Sequence, residues 1–531
     1  MVALNLPLRP WVPQWLGIVV AFVIILPVSM LNGAYTGSMQ EVSSALGVLS
    51  EDITMGYYAT SAGMAVAYPI VTKINTNLTP KTMLLCDLTL QAILSFFCAR
   101  CSSIDLIIFL SFLIGFLKAF VMLWFISNMR QFFSPHDIRS EFFSYFFPMV
   151  FAGGQFSMAI TAQLAYYYDW RYMYYFMMIM LLLAILLIMI CFQYARRPVF
   201  IPYKEMDFKS MLLAASALLM ALYVLAYGKT LDWFASPKII SYSLLAPILL
   251  TLLLWRQHNV PKPYVSLKPL YSWKRLLGYF YMMLVMVFSS TSTLVTNYLT
   301  TILKVDSIHT NSLCLWLLPG FALGGFICFW WFRWQRWRFR YFIAGGMFCF
   351  VIYFAILYFG ISPTSTYEML YLPTFFRGLG MMTLVIAFGL YVAEHLEPKY
   401  LLSNAFFIIL FRSALSPVIG MSICSNALYH LQQKNFNLLS AYITGTDPLA
   451  TSNYQSSLQS ALAQGHGMSE AEQMATTTLY NTLYQQSLLL SLKQMLGILL
   501  IATLVIAIVS RFIPFHKTVR VKVLKTGKDM I

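Results

Sequence analysis

Three basic residues stand where an apolar sequence should exclude them. Lys118, Arg377 and Arg412 each interrupt a run of hydrophobic residues, and a charge near the centre of a bilayer is costly even on lenient insertion scales. A cation in such a place needs a counter-group or a hydrated gap, so all three are candidates to line a substrate or coupling cavity. Arg412 also has Ser413, Ser416 and Pro417 beside it, a composition that opens a helix locally and leaves carbonyls to be satisfied. Acids are scarcer: Glu41, Asp87 and Glu394 are the candidate proton carriers, because burial raises a carboxyl pKa towards neutrality. Each lies near the end of its apolar run, a position equally suited to a solvated or salt-bridged helix end, with Lys81 as the partner expected for Asp87. Gln155 follows Gly153 and Gly154, a small-residue face on which another helix can pack closely.

Other chemistries lack their residues. There is no glycine-rich nucleotide loop, no metal-ligand cluster, no G-x-S-x-G elbow and no H-E-x-x-H, so we expect neither an enzyme nor a bound cofactor. The histidines fall in loops or at expected helix ends, which argues against a buried imidazole relay. Cys98 and Cys101 form an isolated C-x-x-C; without a second pair the spacing is read as coincidence rather than a redox site.

The elements that position these residues follow from composition. Of 531 residues, 60% are hydrophobic and 10% charged, more apolar surface than a soluble core shelters. Stretches of the length needed to span a bilayer recur along the chain. They place helices near 15–37, 53–72, 82–99, 104–126, 142–165, 172–194, 208–228, 238–255, 276–302, 310–332, 341–361, 367–393, 400–429 and 492–514. The first is too long for a signal-peptide core and is read as a retained helix. With both termini inside, most of the 35 Lys and Arg residues fall in loops of one side, as in Arg196, Arg197, Lys204 and Arg333, Arg336, Arg338, Arg340. That is the positive-inside pattern, so the net charge of +16 reflects topology and not nucleic-acid binding. The polar stretch 430–486 faces the opposite side. Within it Ser469 and Glu472 read as a capping box opening an amphipathic helix, and a weaker helix covers 454–463.

In order and spacing these residues resemble the fourteen-helix drug:proton antiporters of the major facilitator superfamily, a family of multidrug exporters. Asp169-Trp170-Arg171-Tyr172 with Phe176 is similar to the family's W-R-W-x-F pattern, and Tyr227-Gly228-Lys229 with Trp233 to the segment joining its two extra central helices. Pro319-Gly320, Arg377-Gly378-Leu379-Gly380, and Asn404 with Arg412 and Gly420 match likewise. The resemblance implies an all-α membrane protein with the major facilitator fold: six-helix bundles at 1–200 and 276–531 and two inserted helices at 201–275. It places the substrate cavity between the bundles, with Asn32, Tyr35, Lys118, Gln155, Arg377 and Arg412 facing it and with Trp170 and Arg171 in a gating or structural role. It implies export of amphipathic small molecules by proton antiport from a bacterial inner membrane, the partners being lipid, substrate, and a periplasmic adaptor with an outer-membrane channel. The chain departs from the family where Asn32 replaces the helix 1 acid and where the stretch 69–81 lacks an acidic loop motif. Those losses keep two rivals open, a non-transporting sensor or scaffold and an uptake symporter. Lys118, two helical turns beyond Ser111, is a stand-in for the cation missing from helix 4.

Overall fold

The computed structural model describes residues 7–134, 138–194, 207–260, 263–333, 339–394, 396–443 and 447–515, without the side chains of Asn32, Tyr35, Thr76, Gln131 and Pro398. The basic stretch 196–204, Arg336, Arg338 and the histidines 136, 395 and 516 therefore lie outside the described residues.

A backbone that meets lipid must satisfy its own hydrogen bonds, and a helix does so within one segment. The described residues accordingly form nineteen α-helices. The first half has α1 (Gln14–Gly37), α2 (Met39–Leu46), α3 (Ser50–Asn77), α4 (Pro80–Arg100), α5 (Ile104–Phe133), α6 (Arg139–Tyr167) and α7 (Tyr172–Cys191). A helix pair follows, α8 (Phe208–Tyr227) and α9 (Pro237–Asn259). The second half has α10 (Trp273–Ser289), α11 (Ser292–Asn297), α12 (Ser307–Ser312), α13 (Leu317–Arg333), α14 (Phe339–Gly360), α15 (Tyr371–Ala393), α16 (Leu401–Ile409), α17 (Ser416–Tyr442), α18 (Pro448–Ala463) and α19 (Met468–Phe512). Local signals set the starts: Thr79 caps α4 through the Thr82 N–H, with Pro80 as its first residue, and Asp207 caps α8 through the Ser210 N–H.

Twelve helical segments are long and apolar enough to cross a membrane. The long helices α3 and α6 fall outside that set because polar and small residues dilute them. Both are interior: α3 packs on α5, α8 and α16, and α6 on α1 and α13. A helix shielded from lipid by its neighbours tolerates such residues.

Two faces of the bundle can be told apart. The Arg9 N–H bonds the Cys191 carbonyl at 2.9 Å and Lys81 Nζ the Phe192 carbonyl at 2.7 Å, which puts these ends on one face, here the basic face. The Ser307 hydroxyl meets Glu41 on the other, the far face.

Glycines set how closely the helices of each half approach. A Cβ on Gly63 of α3 would lie 2.1 Å from the Phe112 carbonyl oxygen, and one on Gly115 of α5 would lie 1.9 Å from that of Thr60. The second half repeats the device between α13 and α15, where a Cβ on Gly320 would meet the Phe375 carbonyl at 2.5 Å and one on Gly378 that of Leu317 at 2.8 Å. With no hydrophobic drive between helices in lipid, such close approach supplies the cohesion.

With α9 packed on α8, the pair meets α3 and α17 through α8. At its basic end Arg256 Nη2 lies 2.9 Å from Asp207. Desolvation raises the Asp207 pKa, but hydrogen bonds from Arg256 and Ser210 outweigh it and hold the carboxyl below its usual range.

Several expectations need correction. α17 continues to Tyr442, so His430 lies inside a helix, and α19 runs unbroken for 45 residues, about 68 Å at 1.5 Å per residue. The stretch 430–486 is therefore mostly a helical tower of α17, α18 and α19, in which α18 covers the helix expected over 454–463 and α19 the amphipathic one. Gly467, not Ser469, is the N-cap of α19; Ser469 already lies in the first turn, so the Ser469/Glu472 capping box does not form. Cys98 and Cys101 are free thiols, and Cys101 Sγ donates to the Ser103 carbonyl at 3.4 Å.

Substituting Gly115 with Val tests the first glycine pair. We expect loss of folded protein from the membrane fraction, because the nearest obstacle is backbone. Gly345→Ala, where an added Cβ meets nothing within 4 Å, should leave yield and melting temperature unchanged.

Candidate functional site

Arg412 owes its position to a wide turn. Pro417 has no N–H to return to the Ser413 carbonyl, and the backbone over Leu410–Leu415 opens into a π-helical turn, a device that often marks functional sites. The Ser416 hydroxyl donates to the Phe411 carbonyl within the same turn. From this turn the guanidinium reaches across to α6 and stands over the rings of Phe147 and Phe151, at 5.2 and 5.8 Å from their centroids. Its Nε meets the Ser413 hydroxyl at 3.3 Å, while Nη1 is buried without a hydrogen-bond partner. Tyr57, Tyr68 and Lys118 lie within reach of its charge.

Lys118 comes from the first half and is 1% exposed. It lies one helical turn beyond Ile114, the residue before Gly115, just as Arg377 precedes Gly378 in the second half. The repeated glycine pairs thus carry a cation on the same face of equivalent helices. Arg377 stands 6.0 Å from the Tyr353 ring centroid with its Nε buried and unpartnered. Beside it Cys314 Sγ meets the Gln155 carbonyl at 3.4 Å, so Gln155 lies at the α6–α13 seam between the halves. Among the described residues neither Arg377 nor Arg412 pairs with a carboxylate. The structure therefore gathers Lys118 and Arg412 around the aromatic middle of the seam, with Arg377 and Gln155 towards the far face. The side chains of Asn32 and Tyr35 lie outside the described residues.

The acids are elsewhere. Asp87 is buried inside the first half, where Gln91 Nε2 donates to its Oδ2 at 3.0 Å and its Oδ1 has no partner. Lys81, the expected partner, instead bonds the end of α7 at the Phe192 and Met189 carbonyls. Helix ends compete for lysine because their last carbonyls are unpaired. Glu41 accepts from Ser307 at 2.5 Å across the far face, and Asn311 Nδ2 donates to the Gly37 carbonyl at 3.0 Å. On the basic face Arg139 Nη1 donates to the Ala393 carbonyl at 3.0 Å, next to Glu394. Both mouths of the seam are thus bridged from one half to the other.

Trp170 and Arg171 lie away from the seam. Trp170 is buried with Met173, Tyr174 and Met177 under the far end of the first half. Arg171 lies 5.6 Å from the Trp170 ring and 4.0 Å from Asp169, so the pair shapes the α6–α7 turn. Sequence reasoning missed the rings of Tyr57, Tyr68, Phe147, Phe151 and Tyr353, because in a chain with 16% aromatics no single ring stands out.

A sequence profile of the Major Facilitator Superfamily matches residues 17–421. No curated protein matches the chain. Among solved structures, the peptide transporter POT in complex with sulfate is 13% identical, covering 96% of this chain and 97% of that one with a TM-score of 0.54. A bacterial homologue of the human lysosomal transporter Spinster, inward-facing and unoccupied, is 12% identical over 94% of this chain and 97% of that one, with a TM-score of 0.51. At such identities the likeness is one of fold.

The Arg412 environment makes a prediction about stability. Replacing a buried, unpaired charge with an apolar group of similar length removes a desolvation penalty. Arg412→Met should therefore raise the melting temperature of the detergent-solubilised protein; a fall would assign the guanidinium to holding the open turn together.

Proposed function

This chain belongs to the Major Facilitator Superfamily, and we propose that it is a secondary transporter of the fourteen-span drug:proton antiporter type, exporting amphipathic small molecules with a preference for anionic or neutral ones. The single observation that carries this reading is that Arg412 and Arg377 lie beside aromatic rings at the seam and that neither pairs with a carboxylate among the described residues. Arg412 and Arg377 each leave a buried N–H unpaired, a cost that a bound anion offsets. Rings beside the cations suit the apolar body of such a substrate. A lipophilic cation would instead meet repulsion.

Transport would come from rocking the halves about the seam. The far-face bonds at Glu41 and Asn311 close one mouth and the Arg139 bond closes the other, so opening either side breaks only its own set. Glu41 and Glu394 sit at these mouths, and Asp87 within the first half. In this reading proton exchange acts on the gates and bundle interior instead of through an acid at Asn32. Counting α3 and α6 as spans gives fourteen crossings. The basic face is then cytoplasmic by the positive-inside rule, and the membrane is a bacterial inner membrane. The tower of α17–α19 would rise on the periplasmic side, with Tyr442, Leu449 and Tyr480 exposed for a periplasmic adaptor leading to an outer-membrane channel.

Purified protein in liposomes with an imposed pH gradient tests the reading. We expect gradient-dependent flux of an anionic dye in the export direction, at least tenfold above its matched cationic analogue, and loss of that flux in Arg377→Ala at unchanged protein abundance. Preference for the cationic dye would reject the anion assignment. Flux insensitive to the gradient would reject antiport. No flux of any probe would favour a sensor or scaffold, and reversed flux an uptake symporter.

A further inference from the structure

The inserted pair α8–α9 touches both halves. At its tip Tyr227 donates to Asp52 Oδ1 of α3 at 2.5 Å, with Tyr223 stacked on the Tyr227 ring at 4.3 Å. Asp52 also accepts the Leu49 N–H at 3.0 Å, so it is fixed at the start of α3. A few residues on, Trp233 Nε1 donates to Asn426 Oδ1 of α17 at 2.9 Å, and Lys229 Nζ lies 5.4 Å from the Tyr429 ring centroid. The pair therefore crosses the α3–α17 seam, with one hydrogen-bonded foot on each half. Beneath it Met55, Tyr58 and Ala62 of α3 meet Leu218 and Leu222 of α8 and Val418 of α17 in one apolar cluster.

The two feet differ in kind. The Tyr227–Asp52 bond has a carboxylate acceptor, which makes it the stronger type. The Trp233–Asn426 bond is between neutral groups, and it is reached through a distorted turn. Asp232 and Trp233 both adopt left-handed backbone, with φ of 50° and 51°, a conformation that costs about 1–3 kcal/mol per non-glycine residue. Trp233 is held there by its ring over Gly228, where a Cβ would come within 2.7 Å, by its backbone N–H on the Gly228 carbonyl at 2.7 Å and by its indole N–H on Asn426.

We propose that the tip of α8–α9 is a strap across the far mouth of the seam, anchored to the first half by Tyr227–Asp52 and released from the second half by breaking Trp233–Asn426. The proposal rests on the rocking motion assigned above. Opening the far mouth separates α3 from α17, and a strap with both feet bound opposes that separation. The distorted foot yields first, since its release lets Asp232 and Trp233 relax. The inserted pair then travels with the first half. Trp233 and Asp52 are thereby residues that set the balance between closed and far-open states, although neither touches substrate.

The test uses the full chain in liposomes with spin labels at Tyr166 and Phe359, exposed positions near the far ends of α6 and α14, read by pulsed electron-spin distance measurement. Trp233→Phe, which keeps the ring and removes the N–H, should raise the ratio of long-distance to short-distance populations about fivefold, the factor of one typical hydrogen bond. Tyr227→Phe should do the same. A strap is undone by cutting either foot, so the double variant should go no further than the larger single one. Additive effects would reassign the two bonds to independent local roles and overturn the strap, and so would no change in any variant. A cysteine pair at positions 233 and 426, in a background lacking the native cysteines, should abolish the long-distance population when crosslinked and recover it on reduction; persistence under crosslinking overturns the proposal. Dye flux in the same vesicles separates the two readings: absent flux with responsive distances removes transport and leaves the strap, whereas flux with unresponsive distances removes the strap alone.

Discussion

An unpaired guanidinium in a low-dielectric interior constrains everything around it. Arg412 cannot lose its charge at any ordinary pH, so the protein has to supply aromatic faces, a hydroxyl and a gap in which the remaining N–H can find a partner. The π-helical turn at Leu410–Leu415 places the side chain at the seam, and the rings of Phe147 and Phe151 come from the opposite half. A packed single bundle would have selected leucine there. The cation marks the seam as a boundary between parts, each of which has to be coherent by itself.

Coherence comes from backbone approach. The pairs Gly63 and Gly115, and Gly320 and Gly378, bring helices together more closely than any side chain permits, and they do so in equivalent positions of the two halves. Each half is thereby packed as a unit that leaves no room for internal slippage. The seam is packed as well, with α6 against α13 and α3 against α16, and there Gly325 lets α13 approach the Ser144 carbonyl; directional bonds at the mouths and the α8–α9 pair are added to that packing.

Much of this was legible in the sequence. Apolar runs and the bias of basic residues gave the helices, and charges inside those runs pointed to Lys118, Arg377 and Arg412, since nothing else in lipid tolerates them. The Ser413, Ser416 and Pro417 cluster announced the opened turn. What could not be read were relations across space. Lys81 bonds the end of α7 and not Asp87, because a distant helix presents unpaired carbonyls that local spacing cannot reveal. In the polar stretch after residue 430 two helices were legible, but the continuation of α17 to Tyr442 was not, because a helix in water needs no apolar run. Trp170 and Arg171 carry a recognisable pattern, yet the fold uses them to shape a turn away from the seam.

The unbroken length of α19 has a mechanical consequence. At more than twice the roughly 30 Å thickness of a hydrocarbon core, with no proline or glycine in its outer third to absorb bending, it is a stiff rod pivoting in the membrane. A sideways push on the tower is transmitted as a tilt to the opposite end near Phe512, through α14 against which the rod lies. Whatever rests on the outer part of this protein therefore has leverage over its inner surface, and the reverse holds as well.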